Sequence, residues 1–242
     1  MKFRWAALAA CGALLALAAA AQTAPVPQSP ATPPVSTITF DLVFPGAQPA
    51  HYRIVVDSSG QSSYRSDDDA GPAPRTSPAT PGTLPFTMSE ATRSRIFALA
   101  RQLNYFQGNY DYTRHRVANT GVKTLTYREG PDDSPASANG PRHSTTYNYS
   151  DNPAIQQITA IFQGIGVTAE LAGRLEHLRR FDRLGLDAEL RHAEEMARSG
   201  QLLELQLAVP ALRAVADDPA TLRLTRERAR RLLQLVPAAV LR

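Results

Sequence analysis

FTMSEATRSRIFALARQLNYF, residues 86–106, is the stretch from which the architecture is read. At helical spacing Ile96, Leu99, Ala100, Leu103 and Phe106 fall on one side, and Phe97 widens that apolar stripe. Arg93, Arg95, Arg101, Gln102 and Asn104 fall on the other side. Thr87 and Glu90 fit a capping box, with Ser89 as a competing N-cap. Gly108 is the expected stop. A stripe this wide needs an apolar surface to cover it, and the flanking segments alternate as strands do.

Upstream, residues 36–44 place Ile38, Phe40, Leu42 and Phe44 on one side. Residues 51–57 repeat the pattern with Tyr52, Ile54 and Val56. Asp57-Ser58-Ser59-Gly60 is a tight turn, and residues 61–65 return as a more polar strand. Downstream, residues 122–128 carry Leu125 and Tyr127 on one face. Residues 142–150 align His143, Thr145, Tyr147 and Tyr149, which makes a second hairpin with a long tip at 130–141. Asn152 and Pro153 then open a helix whose apolar face is Ile155, Ile158, Ile161, Phe162 and Ile165. Alternation rather than continuous apolar runs implies antiparallel pairing with one face covered.

Beyond residue 166 Leu, Ala, Arg and Glu dominate and no strand pattern remains. Thr168 is expected to cap a helix through Arg183, with Leu171, Leu175, Leu178 and Phe181 inward. Residues 187–199 form a second helix ended by Gly200, and residues 201–216 a third that Pro210 kinks or breaks. Asp218-Pro219 starts a fourth through Leu235. The fold class is α+β: an antiparallel sheet in two strand sets, each followed by a helix, plus a C-terminal all-α helical array. The expected parts are a signal peptide (1–21), a Pro/Ala-rich disordered tether (22–35), an α+β domain (36–166) and a helical domain (167–242).

Lys2 and Arg4, the apolar run 6–18 and the small residues 19–21 read as an export signal cleaved near Ala21. Leu8-Ala9-Ala10-Cys11-Gly12 resembles a lipobox, but the apolar run continues through Leu14, Leu15 and Leu17, which favours ordinary cleavage over lipidation at Cys11. The mature chain then has no cysteine and no thiol chemistry. No later run is long enough to span a membrane, so the expected location is periplasmic or extracellular. The net charge of +4 includes Lys2 and Arg4; a nearly balanced mature chain argues against nucleic acid as partner.

Chemistry-bearing residues are few. Asp67-Asp68-Asp69 lacks the alternating ligands and glycine turn of a calcium loop and reads as solvated. Tyr110, Tyr112, Arg114, His115 and Arg116 crowd into residues 109–120. Tyrosine and arginine are favoured at binding hot spots, so the loop is either a recognition patch or a connection whose tyrosines pack on the sheet. Arg223, Arg226, Arg228, Arg230 and Arg231 face only Glu227, and read as a contact patch for an anionic surface or acidic partner, or as a solvated helix face. His51, His115, His143, His177 and His192 are scattered. The sequence carries no His-Glu-x-x-His, nucleophile elbow or phosphate loop, and no catalytic, metal or cofactor site is expected.

Residues 38–165 resemble uncharacterised bacterial exported domains that pair an alternating strand with Tyr52-Arg53-Ile54-Val55-Val56 and a glycine turn. The layout is also similar to emfourin-type inhibitors of metallopeptidases. In those a short sheet precedes a helix ending in aromatics, here Tyr105-Phe106, followed by a strand of the type 123–127 and then 145–151 leading into a last helix through Pro153. The loops 66–82 and 130–141 depart from that compact form, and no inhibitory residue is carried over. The C-terminal helices resemble a HEAT-type array, which implies a scaffold or binding surface. The expectation is an exported, non-catalytic protein-binding or scaffold module of the bacterial envelope. The alternatives are a secreted peptidase-inhibitor-like module and an assembly protein that docks through its helices.

Overall fold

The computed structural model describes residues 35–66, 83–130 and 142–237. The expected signal peptide with Cys11, the tether up to residue 34, the Asp67-Asp68-Asp69 loop and the hairpin tip 131–141 lie outside these residues. The elements are β1 (Ser36–Val43), β2 (His51–Asp57), β3 (Gln61–Ser66), β4 (Thr83–Thr87), α1 (Glu90–Gln102), β5 (Val122–Glu129), β6 (Arg142–Tyr147), α2 (Pro153–Phe181), α3 (Arg183–Arg198), α4 (Val209–Asp217) and α5 (Arg223–Gln234).

The six strands form one antiparallel sheet in the order β4-β3-β2-β1-β5-β6, so the two strand sets join through β1 and β5. Period-two alternation lines up a row of Leu84, Tyr64, Ile54, Phe40, Leu125 and Thr145 across all six strands. A parallel row holds Tyr52, Leu42, Lys123 and Tyr147. α1 and α2 share one core with this face. At its centre the Phe40 ring stacks on Phe162 with centroids 5.0 Å apart and planes 2° from parallel. Ile96, Leu99, Ala100, Leu103 and Phe106 are all buried, as the stripe requires.

The ends of the central stretch differ from the expected continuous helix. Phe86 and Thr87 belong to β4, opposite Ser62 and Gln61, which removes Thr87 as a cap. Ser89 is the N-cap, its hydroxyl oxygen accepting from Thr92 N–H at 3.4 Å. β4 is an edge strand, which is where Pro85, without an N–H, is tolerated. At the far end the helix stops at Leu103. Asn104, Tyr105 and Phe106 take φ of +47°, +52° and +68° in a single left-handed turn, before Gly108 is reached. Left-handed backbone costs about 1–2 kcal/mol per residue. Full burial of Phe106, about 1.5–3 kcal/mol, and the Tyr105–Tyr127 ring contact at 4.4 Å offset it.

α2 is one helix of 29 residues, and the expected boundary after residue 166 falls inside it. Asn152 caps it by accepting from Ala154 N–H and Ile155 N–H at 2.9 and 3.3 Å. Thr168, expected as a cap, is buried mid-helix and donates its hydroxyl to Gly164 O at 3.0 Å. Gly164 and Gly166 do not end the helix because they serve close approach. A methyl group at Gly164 would lie 3.0 Å from Leu203 Cγ, and one at Gly166 3.1 Å from the Tyr52 ring. The distal part of α2 adds Leu171 and Leu175 to a second core with Leu186, Leu190, Leu212, Val215, Ala229 and Leu232. Residues 34–242 group as a single compact unit.

Three further expectations are corrected in the helical third. Phe181 points to solvent at 71% exposure, because Leu175 is the last fully covered residue of α2 before Asp182 turns the chain and caps α3 through Gly185 N–H. The expected helix over 201–216 is interrupted: residues 201–204 are not helical, 205–208 form a 3-10 turn, and α4 starts at Val209 with Pro210 in its first turn, so the break falls just before the proline. Asp218 does not start a helix; its carboxylate is taken by Ala220 N–H at 2.9 Å and the Thr221 hydroxyl at 3.2 Å, and α5 begins at Arg223 with no side-chain cap.

Glu204 locks the helical third to the sheet region. It is 7% exposed and left-handed (φ +56°). Its carboxylate accepts from Ser89 N–H at 2.8 Å and from the Ser89 hydroxyl at 2.7 Å, and Gln206 Nε2 donates to it as well. It thus places negative charge at the positive end of α1. Glu204→Ala is expected to destabilise the fold by about 1.5–3 kcal/mol, the range for hydrogen bonds to a charged group. Urea unfolding followed by circular dichroism measures it.

Candidate functional site

The Tyr/Arg loop leaves the left-handed turn and is fastened at several points. Tyr110 folds back so that its hydroxyl donates to Leu103 O at 2.8 Å, with its ring against the main core. Tyr112 N–H donates to Tyr149 O at 2.8 Å, and Asn148 N–H to Asp111 Oδ1 at 2.9 Å. Asn148 then holds the end of the loop: its amide donates to Ala118 O at 2.9 Å, and Thr120 N–H donates to its Oδ1 at 2.8 Å. Of the five residues singled out in the sequence, Tyr110 is structural. Tyr112, Arg114 and His115 gather on the outside. The Tyr112 ring meets Tyr149 edge-on at 5.7 Å and lies 6.2 Å from His115, and the Arg114 guanidinium stands 5.3 Å from the Tyr112 centroid while pairing with Asp151. Arg116 is exposed. Tyr149, expected in a strand beside Tyr147, lies past the end of β6 and is 39% exposed.

Beside this cluster is a cleft of about 240 Å³ between the end of β6 and the first turns of α2, bordered by Tyr149, Gln156 and Gln163. Lys123 lies at its base and is only 4% exposed. Its ammonium donates to Thr120 O, Thr120 Oγ1 and Gly121 O at 2.9 Å and to Asn148 O at 2.8 Å. Burial lowers the Lys123 pKa. Next to it the Tyr147 hydroxyl shares a 2.6 Å hydrogen bond with Thr159 Oγ1, which donates to Ile155 O, and burial pushes the Tyr147 phenol up to about 12. Away from the cleft, on β3, the Tyr64 hydroxyl donates to Glu170, and burial first and the Glu170 charge second raise its pKa. Lys123, Tyr147 and Thr159 thus bond to groups within the protein, and Ile155 and Ala160 complete the lining. Lys123 shares the phase of Leu125 and Tyr127, and that alternation is the sequence signal that points it inward.

The C-terminal arginines do not share one role. Arg228 donates to Asp187 at 3.1 Å and Glu194 at 2.8 Å, and Arg231 donates to Glu194 at 2.8 Å. Arg230 donates to Ala216 O at 3.0 Å. Arg223 lies 3.7 Å from Glu227, and Arg226 Nε is buried with no hydrogen-bond partner among the described residues. Burial alone would raise the two carboxyls, but hydrogen bonds from Thr225 and Arg228 hold Asp187, and those from Arg231 and Arg228 hold Glu194, below their ordinary values of 3.8 and 4.5. Arg191 and Arg198 add charge at 3.5 and 3.9 Å. The network docks α5 onto α3.

His177 and His192 are exposed, and the His177 ring lies tilted against Phe181 with centroids 4.9 Å apart. Among the described residues no three His, Cys, Asp or Glu side chains converge as a metal site, and no helix is long and apolar enough to cross a membrane. No known protein family, curated protein or solved structure matches the chain.

Lys123→Met is expected to destabilise the protein by about 1–3 kcal/mol, since it leaves buried carbonyl oxygens without a donor; chemical denaturation reads it. The α5 network makes stability acid-sensitive. Carboxyls with lowered folded pKa contribute fully above their ordinary values, and that contribution is lost as pH falls through the folded values. Urea midpoints are expected to hold above about pH 5 and to fall below it. Arg228→Gln is expected to lower the plateau and flatten that fall.

Proposed function

We propose that the chain is an exported, non-catalytic protein-binding module of the bacterial envelope that meets its partner at the cluster of Tyr112, Tyr149, Arg114, His115 and Arg116. The observation that carries this reading is preorganisation. The loop backbone is tied to residues 148 and 149 at both ends, yet it presents aromatic and cationic side chains outward. A surface ordered in advance loses little entropy on binding, and tyrosine and arginine supply most hot-spot energy. The adjoining cleft extends the surface with Gln156 and Gln163 beside apolar Ile155 and Ala160. Its lysine is spent on internal oxygens rather than aimed at a substrate.

The test uses the chain from Gln22 and its Tyr112→Ala/Tyr149→Ala variant as baits against envelope and secreted fractions of the source organism. A partner retained by the first and at least about tenfold weaker on the second is the expected result. Equal retention, or no partner for either, overturns the reading. So does turnover of peptide, ester, glycoside or phosphate substrates that His115→Ala or His143→Ala abolishes.

A further inference from the structure

The cleft between the end of β6 and the first turns of α2 is sized for one side chain. Its volume of about 240 Å³ is below the roughly 300–1,000 Å³ of sites that enclose a whole small-molecule ligand, yet an apolar cavity of about 150 Å³ already accepts benzene. Ile155 and Ala160 contribute apolar lining, and Tyr147 and Tyr149 bring two rings to its border. Rings attract one another edge to face and offset, so this lining favours an aromatic guest over an aliphatic one.

The cleft disfavours charged guests because the donors at its base are already committed. The Lys123 ammonium carries three N–H bonds and has four oxygens within 2.9 Å: Thr120 O, Thr120 Oγ1, Gly121 O and Asn148 O. Thr159 Oγ1 donates to Ile155 O, so the Tyr147 hydroxyl donates to Thr159, and the Thr120 hydroxyl donates to Asn148 O. A lysine or arginine of a partner would meet the Lys123 charge. A carboxylate or phosphate would shed water and find none of these N–H and O–H groups free to replace it. The mouth is different. Gln156 Nε2 donates to Ser150 O at 3.0 Å, but its Oε1 accepts no hydrogen bond from the described residues, and the Gln163 amide makes none with them. Tyr149 belongs both to this mouth and to the ring contact with Tyr112, so cleft and loop cluster are one continuous surface.

We propose that the cleft is the anchor pocket of that surface and takes one uncharged aromatic side chain of the protein partner, a role that rests on the protein-binding reading above. The ring lies against Ile155 and Tyr149, and the partner's backbone on either side of it bonds the Gln156 and Gln163 amides. Aromatic anchors seated in pockets carry much of the energy of such interfaces.

The test is an NMR titration of the isotope-labelled chain from Gln22 with the N-acetyl amides of phenylalanine, leucine, lysine and aspartate. The phenylalanine amide is expected to shift signals of residues 147–163 saturably in the low-millimolar range, with the leucine amide at least about threefold weaker. The lysine and aspartate amides should leave those signals unmoved. Ala160 is exposed and lines the cleft, so Ala160→Trp fills it from outside and is expected to weaken the phenylalanine amide at least about tenfold. If that variant loses the parent's circular dichroism, Gln163→Trp replaces it. Tyr112→Ala, outside the lining, should bind the probe as the parent does. No saturable shift, equal binding by the filled variant, or equal binding of the charged amides overturns the proposal. A partner captured equally by parent and Ala160→Trp overturns the pocket and leaves the protein-binding reading standing. Probe binding with no partner captured overturns that reading and assigns the cleft to a free aromatic molecule instead.

Discussion

One helix has to satisfy two hydrophobic cores, and the rest of the fold follows from that constraint. The first half of α2 lies on the sheet, where Phe162 stacks on Phe40 and Ile155, Ile158 and Ile165 fill the rows beside it. The second half supplies Leu171 and Leu175 to the helical third. A rod cannot bend to meet both surfaces, so the surfaces come to it. Gly164 and Gly166 let Leu203 and Tyr52 close on the helix from either side. Each fully buried large apolar side chain contributes about 1.5–3 kcal/mol, so both halves hold the same helix firmly and neither is a passive appendage.

Two buried charges fix loops, Glu204 between the helical third and α1 and Lys123 within the sheet region, each solvated by neutral dipoles rather than an opposite charge. Glu204 takes the free N–H and hydroxyl at the start of α1, and Lys123 donates to carbonyls at the end of the Tyr/Arg loop. A buried ion left without partners is costly, so each forces its loop into one arrangement. The outward cluster of Tyr112, Tyr149 and Arg114 inherits its order from Lys123 and Asn148 beneath it.

What could be read from the chain was whatever repeats locally. The alternation of Ile38, Phe40 and Leu42 and the stripe of Ile96, Leu99, Ala100 and Leu103 each recur within a few residues, and both reappear in the structure. Features set by distant contacts were not legible. Phe106 kept helical phase by coincidence, since its burial comes from a left-handed turn paid for by the core. Thr168 has the chemistry of a cap, but Tyr52, over a hundred positions upstream, decides what the glycines beside it do. Asp218 resembles a helix start and spends its oxygens on a turn. The density of Tyr110, Tyr112, Arg114, His115 and Arg116 marked the loop. Its true neighbours, Asn148 and Tyr149, arrive from the segment after β6, and only the fold separates Tyr110, packed on the main core, from half-buried Tyr112 beside Tyr149.

The two borders of the sheet are unlike. β4 carries Pro85 and gives Thr87 O to Gln206, whereas β6 has no proline. Endless growth of copies side by side requires the border of one to fit the opposite border of the next, an operation that repeats without closing. Proline cannot donate to such a ladder, so β4 is the poorer of the two borders for pairing with another strand. β6 carries no such block, and a twofold β6–β6 pair would use up the better border of both copies.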